Sequence, residues 1–340
     1  MWVKLSKIYL ILSFFLVLVL FFYSLSIGTF SMNPLDVFSK AGGEGPEGAA
    51  ARLRLARALT ALAVGAALAV SGAALQSALR NPLASPFTLG LPQAAAVGVA
   101  MAMLIMGAGT IQRAFISVHN PYFVVAMAFL AALSNAFLVL FLAAAAGLSV
   151  ASIILAMIAV SSLYQALLAL LQYLFLNDIQ TAAVVFWTFG DVGRPTLVES
   201  YVLLVVAAVA LVFFWFLSFS YNLLAVGDEV AKSSGVDPKR LRFITLVASS
   251  FFTAVLVSFT GVIGFVGLAA PHIARLIIGG NYRILLPAAA LTGAWLLLGA
   301  DIVGRLVKPP VIIPVGITMS FIGVAVILAL LLRLRRYGEY

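Results

Sequence analysis

The sequence predicts an all-α integral membrane protein with about ten transmembrane helices. Of its 340 residues, 64% are hydrophobic and only 9% are charged, whereas soluble domains are about 45–50% apolar and about 25% charged. Apolar segments of roughly 20 residues, the length that a helix needs to cross a membrane, recur along the whole chain. These two observations exclude a soluble globular protein and favour a single transmembrane domain over residues 1–340.

Ten segments reach the length of a membrane-spanning helix. They are 8–28, 53–79, 91–110, 122–146, 150–176, 198–220, 241–260, 262–279, 284–304 and 311–332. The first follows Lys4 and Lys7 and is longer than the apolar core of a signal peptide, so we interpret it as a membrane helix. The second is dense in Gly, Ala and Ser, which let helices approach closely, so we expect it inside the bundle. Between the seventh and eighth, Gly261, Gly264 and Gly267 predict a turn or a broken helix.

The basic residues predict the orientation of these helices. An even number of helices leaves both termini on one side of the membrane. If that side is the cytoplasm, it holds twelve of the twenty Lys and Arg residues, in agreement with the positive-inside rule. We therefore expect a multi-pass protein of the cell (plasma or inner) membrane with both termini in the cytoplasm. Residues 40–47 are then an outer loop, and residues 187–195 are an outer loop or a short re-entrant helix.

Several classes of chemistry lack the residues that they require. The chain has no cysteine, and its two histidines, His119 and His272, lie far apart, so we expect no metal site, no resident cofactor and no catalytic residue. No G-x-x-x-x-G-K-[ST] loop is present, so ATP and Mg²⁺ belong to a partner ATPase if they are used at all. The basic residues that give the net charge of +9 flank the apolar segments, and this arrangement does not indicate nucleic-acid binding.

Asp301 is a carboxylate set among apolar residues late in the chain, with Arg305 four residues further on. Residues four apart lie on one face of a helix, so we expect them to pair. Carriers coupled to protons or sodium ions usually need intramembrane carboxylates. The scarcity of such acids here argues against a carrier of that kind.

The longest polar stretch in the second half of the chain is residues 227–235, on the predicted cytoplasmic side. Glu229, Ala231 and Gly235 have the spacing E-x-A-x-x-x-G. A short helix that a glycine ends in the left-handed conformation makes a rigid knob for a cleft of a partner protein. An ordinary solvated loop is the alternative interpretation.

Two further motifs lie at the predicted ends of the membrane helices. Arg54 and Arg57, with Arg305, place three guanidinium groups at the outer face, where they suit the capture of carboxylates on a docking protein or simply reach the lipid interface. Residues 80–86, with two prolines, an asparagine and a serine, predict a tight turn that either narrows a pathway at the inner mouth or is a plain loop. Pro271 is expected to kink or end its helix.

Five blocks in this order resemble the FecCD-like permease family, the type II ABC importers of iron-siderophores, haem and vitamin B12. The blocks are GAALAVSGAALQ, RNPLASPFTLG, NLLAVGDEVAKSSGV, GFVGLAAPHIARLI and LGADIVGRL. The resemblance runs from about Arg54 to Arg333. It implies a homodimer of ten-helix subunits in lipid, two ABC ATPase subunits and an extracytoplasmic solute-binding protein.

The same resemblance implies roles for individual residues. Arg54, Arg57 and Arg305 match the arginines that meet glutamates of the binding protein. Asn81 and Leu83 match positions that line the cytoplasmic gate. ATPase coupling falls to a loop at about 222–240, and Trp187 and Gly190 match a W-x-x-G element beside the outer vestibule. The matching residues of the coupling loop are Gly227, Asp228, Glu229, Ala231 and Gly235.

The cargo is open at this level. Pro92 and Gln93 depart from the family pattern, and Ile312 and Ile313 stand before Pro314 where an acidic residue is usual. An iron-siderophore, haem or cobalamin is the first expectation. A molybdate or tungstate oxyanion carried by the same importer class is the alternative, followed by a stand-alone secondary carrier.

Overall fold

The computed structural model describes residues 2–28, 32–106, 111–112, 115–116 and 120–337, so His119 lies outside the described part of the chain. Within it the all-α prediction is confirmed. The helices are α1 (Trp2–Ser26), α2 (Asp36–Lys40), α3 (Gly45–Ala78), α4 (Leu91–Met106), α5 (Pro121–Ala145), α6 (Val150–Leu174), α7 (Asp178–Thr188), α8 (Leu197–Phe216), α9 (Ser218–Val226), α10 (Asp228–Ser233), α11 (Pro238–Thr260), α12 (Val266–Ile278), α13 (Tyr282–Leu306) and α14 (Val315–Tyr337). A 3-10 helix covers Pro86–Leu89, and two two-residue strands, β1 (Ile111–Gln112) and β2 (Phe115–Ile116), pair antiparallel.

Ten of these helices correspond to the ten predicted segments. Among the described residues, seven helices are long and apolar enough to cross a membrane, namely α1, α3, α5, α6, α8, α11 and α13. Three shorter apolar segments, α4, α12 and the Val315–Leu328 part of α14, complete the set. The additional helices α2, α7, α9 and α10 are 5 to 11 residues long, which is too short to span a bilayer.

Helix α3 begins earlier than the hydrophobicity of the chain suggests. The predicted loop at 40–47 shrinks to residues 41–44, because α2 continues to Lys40 and α3 starts at Gly45. Pro46 occupies the first turn, where the absent N–H is not needed and the fixed φ suits a helix. Glu47 adds a negative charge at the positive end of the helix dipole, and the alanines that follow have high helix propensity.

The predicted break between the seventh and eighth segments is confirmed. Helix α11 ends at Thr260, and Gly261 and Phe265 both have positive φ, 75° and 65°. Pro271, by contrast, neither ends nor begins a helix but lies within α12. The Gly267 carbonyl, which an N–H at position 271 would bind in a regular helix, faces Gly72 of α3 so closely that a Cβ there would overlap it. Such packing against a neighbouring helix is how membrane helices tolerate proline.

The contacts of the chain divide into two compact units. The first unit comprises Met1–Ala73, Asp191–Ser218 and Ile263–Tyr340, and the second comprises Ala74–Gly190 and Phe219–Val262. In the first unit α13 packs against α1, α12, α14 and α8. In the second unit α4 packs against α5, α6 and α7, and α11 packs against α5 and α4. The single domain over 1–340 stays a prediction.

Small residues determine which helices are interior. The most apolar window of α3 is 83% buried, whereas that of α1 is only 22% buried, so the prediction that the second segment is interior is confirmed. In the first unit α3 crosses α13 at Gly65 and Gly293, and a Cβ built on either glycine would overlap the carbonyl oxygen of the other. Two glycines therefore set the distance between these helices, as small residues do in lipid.

We expect Gly293→Ala to lower the thermal stability of the protein in detergent. The added methyl group must push α13 away from α3, and overpacking of this kind costs about 1–3 kcal/mol. Gly299→Ala on the same helix is the matched control, because a Cβ there meets nothing within 4 Å. Size-exclusion chromatography after heating measures both. Equal melting temperatures for the two variants would contradict the packing described here.

Candidate functional site

Three arginines converge in the first unit and line one cavity. Arg54 and Arg57 lie three residues apart on α3 and thus on one face of it, and Arg305 lies near the end of α13. With Ile27, Leu53 and Gly193 they border a cavity of about 560 Å³. The side chains are buried, since the three residues are only 7–8% exposed. We call Arg54, Arg57 and Arg305 the arginine cluster.

Two carboxylates pair with Arg57 and Arg305 of the arginine cluster. Arg57 Nε donates to Asp301 Oδ1 at 2.7 Å, and Arg305 Nη2 lies 3.0 Å from Asp301 Oδ2. The predicted pair of Asp301 and Arg305 is therefore confirmed, and Asp301 serves a second arginine as well. Asp191, in the loop after α7, lies 2.9 Å from Arg57 Nη2 and also accepts the Gly193 N–H.

The arginine cluster also binds the carboxyl end of α1. Arg305 Nη1 donates to the Ser24 carbonyl at 2.9 Å, and Arg54 Nη1 donates to the Leu25 carbonyl at 3.1 Å. Arg305 Nη2 also donates to the Ser24 hydroxyl. The last carbonyls of a helix have no partner inside the helix, and a cation is favoured there by the helix dipole.

The burial of the three guanidinium groups was not predicted from the sequence. The cluster comes together as predicted, but much of its hydrogen-bonding capacity is used inside the protein. Three guanidinium groups face two carboxylates, Asp191 and Asp301, so these five groups carry an excess of one positive charge at a cavity. Burial lowers the pKa of the nearby Arg194, and the negative charge of Asp191 opposes that shift in part. A docking role for the cluster stays a prediction.

The predicted tight turn follows α3 in the second unit. Arg80 has a φ of 45°, and the Arg80 and Asn81 N–H groups bind the Ser77 and Gln76 carbonyls, which closes the helix. Asn81 Oδ1 then accepts the Leu83 N–H at 2.9 Å. The Leu83 side chain is exposed. The turn is confirmed, and the role of Asn81 and Leu83 in a gate stays a prediction.

The predicted short helix is α10. Its end has the glycine turn that the sequence indicates, because Gly235 has a φ of 84° and the Val236 N–H binds the Ala231 carbonyl at 2.9 Å. Gly227 is the residue before the helix. Ala231 is buried and Glu229 is exposed, so the E-x-A spacing directs one side chain inward and the other outward. Contact with an ATPase stays a prediction.

Asp228, the first residue of α10, has a partner that sequence reasoning missed. Its two carboxylate oxygens accept from Arg242 Nη2 of α11 at 2.6 and 2.8 Å. Arg242 is 3% exposed. From the sequence it counted only as one of the basic residues on the predicted cytoplasmic side.

Trp187 and Gly190 lie at the end of α7. Trp187 belongs to this eleven-residue helix, and its carbonyl accepts the Gly190 N–H at 3.4 Å, with Gly190 at a φ of 65°. Asn177 and Gln180 cap the start of the helix, and Gln180 Nε2 binds the Met103 carbonyl of α4. Of the stretch 187–195 that was predicted as an outer loop or a short re-entrant helix, only Trp187 and Thr188 belong to α7, and the remainder is turn and loop. Its place beside an outer vestibule stays a prediction.

Sequence reasoning also missed Asp191 and Ser24, which hold the arginine cluster. The scarcity of acids is the signal that points to Asp191, since the chain has only eleven Asp and Glu residues and few of them can neutralise an arginine. The sequence contains no comparable signal for Ser24, because Arg305 binds its backbone carbonyl, a group that every residue has.

Comparison with known proteins gives consistent results along the chain. The model of the FecCD transport family matches residues 16–333. A protein of Methanocaldococcus jannaschii named as an ABC transporter permease is 41% identical over 92% of this chain and 90% of its own length. A Staphylococcus aureus protein named as a haem-iron transport system permease is 32% identical over 99% of both chains.

One solved structure is similar over almost the whole chain. It is described as an inward-facing conformation of a metal-chelate type ABC transporter, and it is 29% identical with a TM-score of 0.81. The similarity covers 96% of this chain and 99% of that one.

We expect Asp301→Asn to destabilise the protein strongly. The change keeps the size of the side chain but leaves Arg57 and Arg305 without the charge that they share, and removal of one member of a buried ion pair costs about 3–5 kcal/mol. Glu47→Gln is the matched control, because its pair with Lys40 is exposed and surface pairs contribute little. Melting in detergent measures both, and a native melting temperature for Asp301→Asn would contradict the role assigned to it.

Proposed function

Because the chain belongs to the FecCD transport family, we propose that it is the membrane-spanning permease subunit of a binding-protein-dependent ABC importer. In this proposal two copies form a homodimer and two ABC ATPase subunits bind them on the cytoplasmic side, where both termini lie. A solute-binding protein delivers the cargo from the other side. The permease catalyses no reaction and holds no cofactor, and ATP and Mg²⁺ belong to the partner ATPase.

The observation that carries the proposal is the form of α10. It is an exposed helix of six residues, closed by a glycine turn at one end and fixed by an ion pair with Arg242 at the other. The chain itself has no phosphate-binding loop. The chain is not expected to hydrolyse ATP itself, and a rigid polar helix of this form suits the transfer of force from a partner ATPase. Glu229 is the proposed exposed contact.

The arginine cluster supports docking of the binding protein. Its excess positive charge borders a cavity, and guanidinium groups bind carboxylates in a bidentate manner. A carboxylate of the incoming protein would neutralise that excess without breaking the internal pairs with Asp191 and Asp301. Such electrostatic complementarity favours fast and selective encounter more than high affinity.

An iron chelate is the cargo that the relatives favour. The Staphylococcus aureus relative is named for haem-iron transport, and a Helicobacter pylori relative, 34% identical over 83% of this chain, is named for iron chelatin transport. We place haem and iron-siderophores before cobalamin and before the oxyanions molybdate and tungstate for that reason. The outer vestibule beside Trp187 and Gly190 is the proposed entry.

The structure offers little to a stand-alone carrier coupled to protons or sodium ions. Such a carrier needs an intramembrane carboxylate that can change its charge or its ligand. Asp301 is buried, but its two oxygens already face the guanidinium groups of Arg57 and Arg305, so it is not available as a ligand for a transported cation. Asp301 is therefore a structural anion in this proposal.

We expect Glu229→Arg to weaken binding of the partner ATPase and to abolish its stimulation by loaded binding protein. If a basic residue of the ATPase faces Glu229, the substitution places two positive charges opposite each other, which costs several kcal/mol. The affinity of the permease for the ATPase then falls by about tenfold or more. Asp36→Arg is the control, since Asp36 is an exposed acid in the first turn of α2. ATP hydrolysis in proteoliposomes, with the candidate ATPase and binding protein added, is the measurement. If the Glu229→Arg variant stimulates ATP hydrolysis as the native protein does, α10 is not the contact with the ATPase.

We expect Leu53→Glu to weaken docking of the binding protein without disturbing the fold. Leu53 is 64% exposed and lines the same cavity as the arginine cluster, so a carboxylate there neutralises the excess charge in place of the partner's carboxylate. Leu53→Gln is the matched neutral control. Binding to permease in nanodiscs measures the effect, which increases at low ionic strength because salt screens the exposed charge. Equal affinities for the two variants would exclude the cavity as the docking site.

A further inference from the structure

Arg242 is a buried arginine to which neither the sequence motifs nor the comparisons assign a role. It is the fifth residue of α11 and is 3% exposed. A buried charge is costly unless it is paired and hydrogen-bonded, so its partners show what it does. They lie on two different elements of the second unit.

The first partner is the helix that we propose as the ATPase contact. Arg242 Nη2 donates to both carboxylate oxygens of Asp228, the first residue of α10. Charge-assisted hydrogen bonds such as these are among the strong ones. They fix the start of α10 to α11. The Asp228 side chain is 44% exposed, so the pair lies within reach of a protein that binds α10.

The second partner is the end of α3, where the proposed gate turn begins. The Leu75, Gln76 and Ser77 carbonyls accept from the N–H groups of Leu79, Asn81 and Arg80. The next carbonyl, that of Ala78, accepts from Arg242 Nε at 3.0 Å. Arg242 thus adds to the cap of the helix that leads directly into Asn81 and Leu83.

A second polar link runs beside the first. Ser77 Oγ donates to the Tyr221 carbonyl of α9 at 3.1 Å, and the Tyr221 hydroxyl lies 2.9 Å from Thr245 Oγ1 of α11. The last turn of α3 is therefore bonded to α9 and α11 at successive residues, Ser77 and Ala78. Displacement of these helices must either carry the end of α3 with it or break hydrogen bonds that are buried.

We propose that Arg242 is the positioning residue that couples α10 to the gate turn. The guanidinium group is planar and rigid, and its Nε and Nη2 atoms bond different elements, so a shift of Asp228 alters the hydrogen bond to the Ala78 carbonyl. The inference rests on the proposed function, because it takes α10 as the ATPase contact and Asn81 and Leu83 as the gate. Coupling of this kind requires an element that both sites bias, and the capped end of α3 is that element.

The absence of cysteine from the chain makes the test direct. Pro82→Cys, an exposed position between the two proposed gate residues, introduces a single thiol. Its labelling by a membrane-impermeant maleimide is followed in proteoliposomes with the partner ATPase, with and without ATP and vanadate. We compare the otherwise native chain with Arg242→Lys, Asp228→Asn and the double variant. Arg240→Lys, an exposed arginine of the same helix, is the matched control.

We expect nucleotide to change the labelling rate in the Pro82→Cys chain and in the Arg240→Lys control. Arg242→Lys loses this change although the ATPase stays bound, because Arg242 is buried and offers no surface to the partner. Asp228→Asn loses it as well, and the double variant loses no more than either single one, since both changes break one link. ATPase binding is measured for every variant, because Asp228 itself belongs to the coupling loop. Asp228→Asn keeps the test valid if Arg242→Lys misfolds, because the substituted side chain is half-exposed and Arg242 keeps the Ala78 carbonyl as a hydrogen-bond partner.

Two results would overturn the inference in different ways. If nucleotide changes the labelling rate natively and equally in both variants, Arg242 does not couple α10 to the turn, and the proposed function stands. If nucleotide does not change the rate in the Pro82→Cys chain itself, while the ATPase binds, the proposed gate fails and the inference falls with it.

Discussion

An arginine inside an apolar helix bundle must find its hydrogen-bond partners within the protein, and this requirement shapes both polar centres of the structure. Lipid supplies no partner, and a buried ion with none is far more costly than one that is paired. Arg57 and Arg305 satisfy this requirement by sharing Asp301. Arg242 meets it through Asp228 and the carbonyl of Ala78. In each case the partners belong to several helices, so satisfying one guanidinium group fixes the positions of those helices.

In the proposed function, the arginine cluster has a structural role and a docking role, and the two compete for the same hydrogen bonds. Internal pairing with Asp191 and Asp301 holds α3, α13 and the loop after α7 together, and binding of the Ser24 and Leu25 carbonyls caps α1. What remains for a partner protein is an excess charge at a cavity rather than a set of free side chains. Docking through such a site would add a carboxylate of the partner protein to a cluster whose internal ion pairs are already formed. The energy of docking can then bias the arrangement of these helices, in the manner of a ligand that prefers one of two states.

The sequence alone predicted most of the fold, because the length and apolarity of membrane helices are imposed by the bilayer. It located ten segments, the break around Gly261 and the interior place of α3. It missed the early start of α3, because Gly45 and Pro46 indicate a loop as readily as a helix start. It expected Pro271 to kink or end its helix, and the helix does not end there. One sequence does not show that Gly72 of another helix lies against the freed carbonyl.

The candidate site was predicted less completely, for a related reason. Spacing within one helix identifies pairs such as Asp301 with Arg305, and glycine at position 235 identifies the end of α10. Contacts between distant segments leave no local signal, and so Asp191, Ser24 and Arg242 were missed. Burial was missed as well, because Arg54 and Arg57 have the same sequence context whether they lie on a surface or beneath it.

The proposed function requires that this chain move an iron chelate across the membrane only when a partner ATPase hydrolyses ATP. The most direct test is uptake of radioiron haem into proteoliposomes that contain the permease and its ATPase, with haem-loaded binding protein outside and ATP inside. The account predicts accumulation that requires internal ATP and the binding protein and that persists when ionophores remove every proton and sodium gradient. Uptake that proceeds without ATP and stops when those gradients are removed would contradict it and would make the chain a self-sufficient carrier.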